Sequence, residues 1–101
     1  MNISVITVQG RLVDDNGPLS GQIWFIPTKP AFTYGDKLFA VKGGHCCLHD
    51  GTFSVELTPT DTFSGQPFYY DVYFETIHWR LKVEGEGEVQ LADLLPKKAD
   101  S

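Results

Sequence analysis

A chain of 101 residues has room for one domain, and at that length a folded chain buries roughly two thirds of its unfolded surface. Apolar residues make up 42% and aromatic residues 13%, so the composition is that of a globular protein with a core built on rings. The net charge is −5 and the eight Lys and Arg are scattered without a run, which disfavours nucleic acid and anionic membrane as partners.

Met1-Asn-Ile-Ser shows no basic stretch ahead of a long apolar one, and no segment reaches the length of a membrane span, so the reading is a soluble protein made in a cytosol. Short apolar segments alternate with a period near two between Gly, Pro, Asp and Asn. No window sustains a helical period, and the predicted fold is a single-domain, all-β, antiparallel sandwich of seven or eight short strands over residues 1–96, followed by a flexible tail, 97–101.

In chain order, strands are expected over 3–13, 22–27, 38–41, 45–49, 52–57, 68–75, 77–84 and 88–91, with one helical turn over 91–96. The first two are joined by Asp15-Asn16-Gly17-Pro18, whose residues suit a tight turn. Asp14, Asp15 and Asp50 are assigned to turn duty, since their spacing falls short of a calcium loop. In Gln22-Ile-Trp-Phe-Ile-Pro27, Ile23 and Phe25 face one way and the equally apolar Trp24 and Ile26 the other. Both faces need cover, from a loop of the same chain or from a partner subunit.

Residues 28–37 are the longest stretch without a pattern. They hold Phe32 and Tyr34, either as a binding loop or as a lid folded back over Trp24. Residues 59–67 form a second loop of this kind. Beyond it, Phe68, Tyr70, Val72 and Phe74 share one strand face, and Tyr69, Asp71, Tyr73 and Glu75 the other. Ile77, Trp79, Leu81 and Val83 oppose His78, Arg80, Lys82 and Glu84, and the two runs are predicted to form a hairpin folded near Thr76. Tyr69 and Tyr73, with Trp24, are candidates for stacking on a sugar or filling a protein interface. The competing reading has a second sheet or a loop covering them.

His45-Cys-Cys-Leu-His49 places His45, Cys47 and His49 on one side of a strand, which invites a zinc test. At about 3.3 Å per residue the outer two lie roughly 13 Å apart, too far to share one ion on an unbent strand. No metal and no cofactor is expected. Cys46 and Cys47 point to opposite faces and are expected as free thiols. Neither has a local signature that would make it a nucleophile with His78, and neither Ser20 nor Ser54 lies in a nucleophile elbow. Glu84-Gly-Glu-Gly-Glu88 reads as a solvated turn of like charges.

The pattern Gly10-x-x-Val13-Asp-x-x-Gly17-Pro-Leu-x-Gly21-x-Ile23-x-Phe25-x-Pro27, followed by Asp50-Gly-Thr-Phe-Ser-Val-x-Leu57, resembles the prealbumin-like sandwich domains related to carboxypeptidase regulatory domains. It also resembles small or minor tail proteins of tailed bacteriophages. The resemblance implies a non-enzymatic structural or adhesion module of the virion, at the tail tip or adsorption apparatus. No catalytic residues carry over from it. Implied partners are other phage tail proteins or further copies of the chain, acting through Trp24, Ile26, Phe32, Tyr34, Tyr69 and Tyr73. The alternative is a module that binds host cell-surface carbohydrate through the same rings. A free accessory protein made during infection is a further expectation.

Overall fold

The computed structural model describes residues 5–63 and 65–95. Two sheets face each other. One has three strands in the order β11-β1-β8, with β1 at Ile6–Arg11, β8 at Thr52–Leu57 and β11 at Glu88–Gln90. The other has four antiparallel strands in the order β10-β9-β4-β7: β4 at Gln22–Pro27, β7 at Gly44–Cys47, β9 at Tyr70–Phe74 and β10 at Ile77–Leu81. Two small hairpins lie outside them, β2 (Val13–Asp14) with β3 (Gly17–Pro18), and β5 (Ala31–Tyr34) with β6 (Lys37–Ala40). A single helical turn, α1 at Leu91–Leu94, closes the described chain. The all-β class predicted from the period-two pattern is the class found, with one departure from the antiparallel expectation: β11 runs parallel to β1.

Alternation decides what goes inside. Ile6 and Val8 of β1, Phe53 and Leu57 of β8, Ile23 and Phe25 of β4, and Tyr70, Val72 and Phe74 of β9 are all buried. Phe25 meets Phe53 across the sandwich with ring centroids 5.8 Å apart. Each such side chain contributes about 1.5–3 kcal/mol of burial. The chain moves between sheets at the β7–β8 corner, where Asp50 and Gly51 take φ of 55° and 78°. Positive φ at both central residues is what a two-residue type I′ turn requires. His49 and Thr52 close that turn with two backbone hydrogen bonds of 2.9 Å. Gly51 has a second reason to lack a side chain, because a Cβ there would lie 2.5 Å from the Leu12 carbonyl oxygen. In the β2–β3 hairpin, the Asn16 N–H donates to Asp14 Oδ1 at 2.8 Å, the turn use expected of that aspartate.

Several expected boundaries shift. The first strand ends at Arg11, and Val13–Asp14 belongs to its own hairpin; the expected start at Ile3 lies outside the described residues. β7 stops at Cys47, so His49 sits at the corner turn rather than in line with His45. β10 stops at Leu81. Val83 beyond it is buried and tied to the 58–69 loop, its N–H donating to Thr60 Oγ1 at 3.1 Å and its carbonyl accepting from the Thr60 N–H at 2.7 Å. The proposed tail, 97–101, lies outside the described residues.

The largest correction concerns residues 28–37. Half of this stretch is strand, because Ala31–Tyr34 pairs with Lys37–Ala40 across a turn in which Gly35 adopts φ 66°. Phe32 is not a surface residue. It is 3% exposed, and its ring stacks on Phe63 at 4.4 Å and tilts against Phe68 at 5.3 Å. A four-residue strand is too short to show a period, and its one inward ring is spent on the core. The Tyr34 side chain lies outside the described residues.

Candidate functional site

Among the described residues, no loop covers the outward face of the four-stranded sheet. Trp24 is 41% exposed, Ile26 46%, Tyr73 39% and Tyr69 36%. Register brings them together: Trp24 is the cross-strand partner of both His45 on β7 and Tyr73 on β9, and Tyr73 is the partner of His78 on β10. One row therefore crosses all four strands in the order His45, Trp24, Tyr73, His78. Trp24 stacks on His45 with centroids 4.2 Å apart, and Tyr73 stacks on His78 at 4.6 Å with planes within 7°.

The next row holds Ile26, Asp71 and Arg80, again in register. Arg80 grips the Asp71 carboxylate with two hydrogen bonds, Nε to Oδ1 at 2.8 Å and Nη2 to Oδ2 at 3.1 Å. His78 Nε2 lies 3.1 Å from Oδ1. The Arg80 hydrogen bonds hold the Asp71 carboxyl below the ordinary carboxylate range, with His78 helping and partial burial opposing, while the same contact raises Arg80. A third row carries Tyr69, whose N–H donates to Thr28 Oγ1 at 3.0 Å and whose ring lies 5.9 Å from the Lys82 ammonium.

Because a depressed aspartate pKa stabilises the fold at pH above the unfolded value, the contribution of Asp71 is complete above about pH 4 and drains as the pH falls below it. Asp71→Asn is expected to flatten the acid limb of a stability-versus-pH curve below pH 4. An unchanged acid limb, measured by urea unfolding at stepped pH, counts against the ion pair.

His45 and Cys47 share the outward side of β7 as alternation requires, but His45 is committed to Trp24 and His49 to the corner. Among the described residues, no group of three or more His, Cys, Asp or Glu is placed to hold a metal ion. Both cysteines are free thiols. Burial and the neighbouring Cys47 push the half-buried Cys46 thiol up, despite an opposing backbone hydrogen bond at Ser54, which keeps it protonated and weakly nucleophilic.

Of the residues singled out from sequence, Trp24, Ile26, Tyr69 and Tyr73 share one face and Phe32 is inside. The sequence reading missed His45 and His78 as ring partners, and the Asp71–Arg80 pair beside them. A two-residue loop at Glu75-Thr76 would have placed Tyr73 against His78 and Asp71 against Arg80, but Glu75 reaches φ 52° without being glycine, so nothing local announces that turn length.

The class these features define is a small β-sandwich that displays a ring-bearing sheet face. No protein-family model matches the sequence, and no curated protein matches it.

Proposed function

We propose that the protein is a non-enzymatic structural or adhesion module of a phage tail tip or host-adsorption apparatus, acting by protein–protein contact through the Trp24 face. The observation that carries the binding reading is the His45-Trp24-Tyr73-His78 row with Ile26 beside it, exposed on an otherwise acidic chain. Trp and Tyr are the residues enriched in the buried centres of interfaces, and their clustering on one exposed face supports the reading of that face as a contact surface. The phage context rests on the resemblance of the Gly10–Pro27 and Asp50–Leu57 patterns.

Trp24→Ala separates function from folding. Its ring is half out of the protein, so the variant is expected to unfold cooperatively with a loss of no more than about 1 kcal/mol. Antibody against the chain, applied to purified virions of the encoding phage, is expected to label the tail tip for the wild type and to lose that label for Trp24→Ala. Abundant protein in infected cells with unlabelled wild-type virions would remove the virion reading, and collapse of the fold in Trp24→Ala would return that ring to the core.

A further inference from the structure

We propose that the seam between β7 and β8 takes up an uncharged, extended peptide segment of a partner protein, which pairs with the free edge of β7 through the N–H and C=O groups of His45 and Cys47. The seam lies at the side of the sandwich rather than on the Trp24 face, and the inference does not rest on the reading of that face.

Hydrogen-bond phase fixes which way the β7 backbone points. The Leu48 N–H donates to the Gly21 carbonyl at 2.8 Å, in the register that pairs Ile23 with Cys46 and Phe25 with Gly44. Bonded pairs alternate along an antiparallel ladder, so Cys46 and Gly44 turn their peptide groups to β4, and Cys47 and His45 turn theirs away from it. On β8 the Leu12 N–H donates to the Gly51 carbonyl at 2.7 Å, continuing the register with β1. By the same alternation Phe53 and Val55 bond to β1 and Ser54 points to the other side.

These two free sides belong to one interrupted hairpin. His49 and Thr52 exchange two backbone bonds of 2.9 Å at the corner, and the next bonded pair in that phase is Cys47 with Ser54. Among the described residues that pair is not made. The strands part into different sheets, and the Ser54 N–H turns to the Cys46 thiol instead. The N–H and C=O groups of His45 and Cys47 are left without a hydrogen-bond partner among the described residues. β7 has no lysine and no proline, and its pairing with β4 has no bulge, so it lacks three common guards of an edge strand.

A cavity of about 530 Å³ lies in this seam, with Gln9, Cys46, His49, Phe53 and Ser54 among its walls. Among the described residues no Lys, Arg, Asp or Glu lines it, so nothing there pairs with a charged segment. An extended chain is the partner whose own N–H and C=O groups repeat every second residue, about 6.6 Å, as those of His45 and Cys47 do. Alternation then sets its side chains. Residues opposite His45 and Cys47 share their outward side, and the residue opposite Cys46 turns inward with it. The segment that fits therefore reads polar, apolar, polar.

The test adds a blocked pentapeptide of alternating threonine and valine, threonine first, to ¹⁵N-labelled protein, and follows the backbone amide signals and their exchange with deuterated water. The expected result is saturable binding that slows exchange of the His45 and Cys47 amides at least tenfold and leaves those of Gly44 and Cys46, already bonded to β4, nearly unchanged. Cys47→Pro removes one edge donor at a position where edge strands accept proline, and should weaken binding at least tenfold; Cys47→Ser keeps the N–H and should bind as the wild type does. The same peptide N-methylated at its threonines lacks the donors and should not bind, a check that stands even if Cys47→Pro fails to fold. Equal binding of the N-methylated peptide, protection confined to β10 at the sheet's other edge, or no change at millimolar peptide would each overturn the proposal. So would protection of His45 and Cys47 that grows with protein concentration in the absence of peptide, which would make the occupant a second copy of the chain.

Discussion

Replacing Phe32 by alanine is expected to lower the free energy of unfolding by about 3–5 kcal/mol, the range for truncating a buried phenylalanine. Against a total stability of about 5–15 kcal/mol for a domain, that loss is a large fraction of the whole. The β5–β6 hairpin pairs with neither main sheet, so its attachment to the sandwich runs through side chains. Phe32 is its plug. Its ring is packed on Phe63 and Phe68, Phe39 of the facing strand reaches the same Phe63 at 6.4 Å, and Phe68 passes the contact on to Tyr70 at 5.6 Å. The Lys29 ammonium lies 5.4 Å from the Phe32 centroid and adds a cation–π contact at the rim. Urea unfolding followed by tryptophan fluorescence checks the number. A variant that unfolds like the wild type and merely loses a partner would instead restore Phe32 to the surface.

How far this could be read in advance depended on whether a segment's two faces differ in chemistry. On β9 they do: Tyr70, Val72 and Phe74 went in and Tyr69, Asp71 and Tyr73 came out, as the period of two requires. On β4 they do not. Ile23-Trp-Phe-Ile26 is apolar on both sides, and period alone gives no side a claim on the core; the answer lies in neighbours β7 and β9, which set His45 and Tyr73 beside Trp24. The paired histidines, the Asp71–Arg80 grip and the parallel β11–β1 pairing are likewise properties of register between segments distant in sequence. Counting along the strands pairs Trp24 with Ile26 and Tyr69 with Tyr73, but only the register between β4 and β9 puts the two pairs on one face, and Phe32 needed the long-range contact to Phe63, thirty-one positions on, which no local pattern records.

Tyr70→Phe is expected to cost about 1–3 kcal/mol, although it removes a single oxygen. The Tyr70 ring is fully buried and its hydroxyl is a three-way junction. It accepts the Thr58 N–H at 3.0 Å, lies 3.0 Å from the Thr58 carbonyl and reaches the Lys42 carbonyl, so it ties the segment between β6 and β7 to the start of the 58–69 loop. Thr58 Oγ1 completes the knot by accepting the Lys42 N–H at 2.9 Å. Without the hydroxyl, a buried amide and a buried carbonyl lose their partner in a place water cannot easily enter, and an orphaned buried polar group costs more than the bond itself was worth. Burial also pushes the Tyr70 phenol up to about 12 from its ordinary 10, with the Thr58 contacts opposing the shift. A phenol that holds its proton more tightly when folded keeps its full stabilisation below pH 10 and loses it as the pH rises from about 10 towards 12, because the unfolded chain ionises first. Wild-type protein should therefore show a fall in stability across that window that Tyr70→Phe lacks, while at pH 7 the variant is the weaker of the two. Urea midpoints at pH 7, 9, 10 and 11 measure both effects, and equal midpoints at pH 7 with parallel alkaline slopes would mean that the hydroxyl holds nothing together.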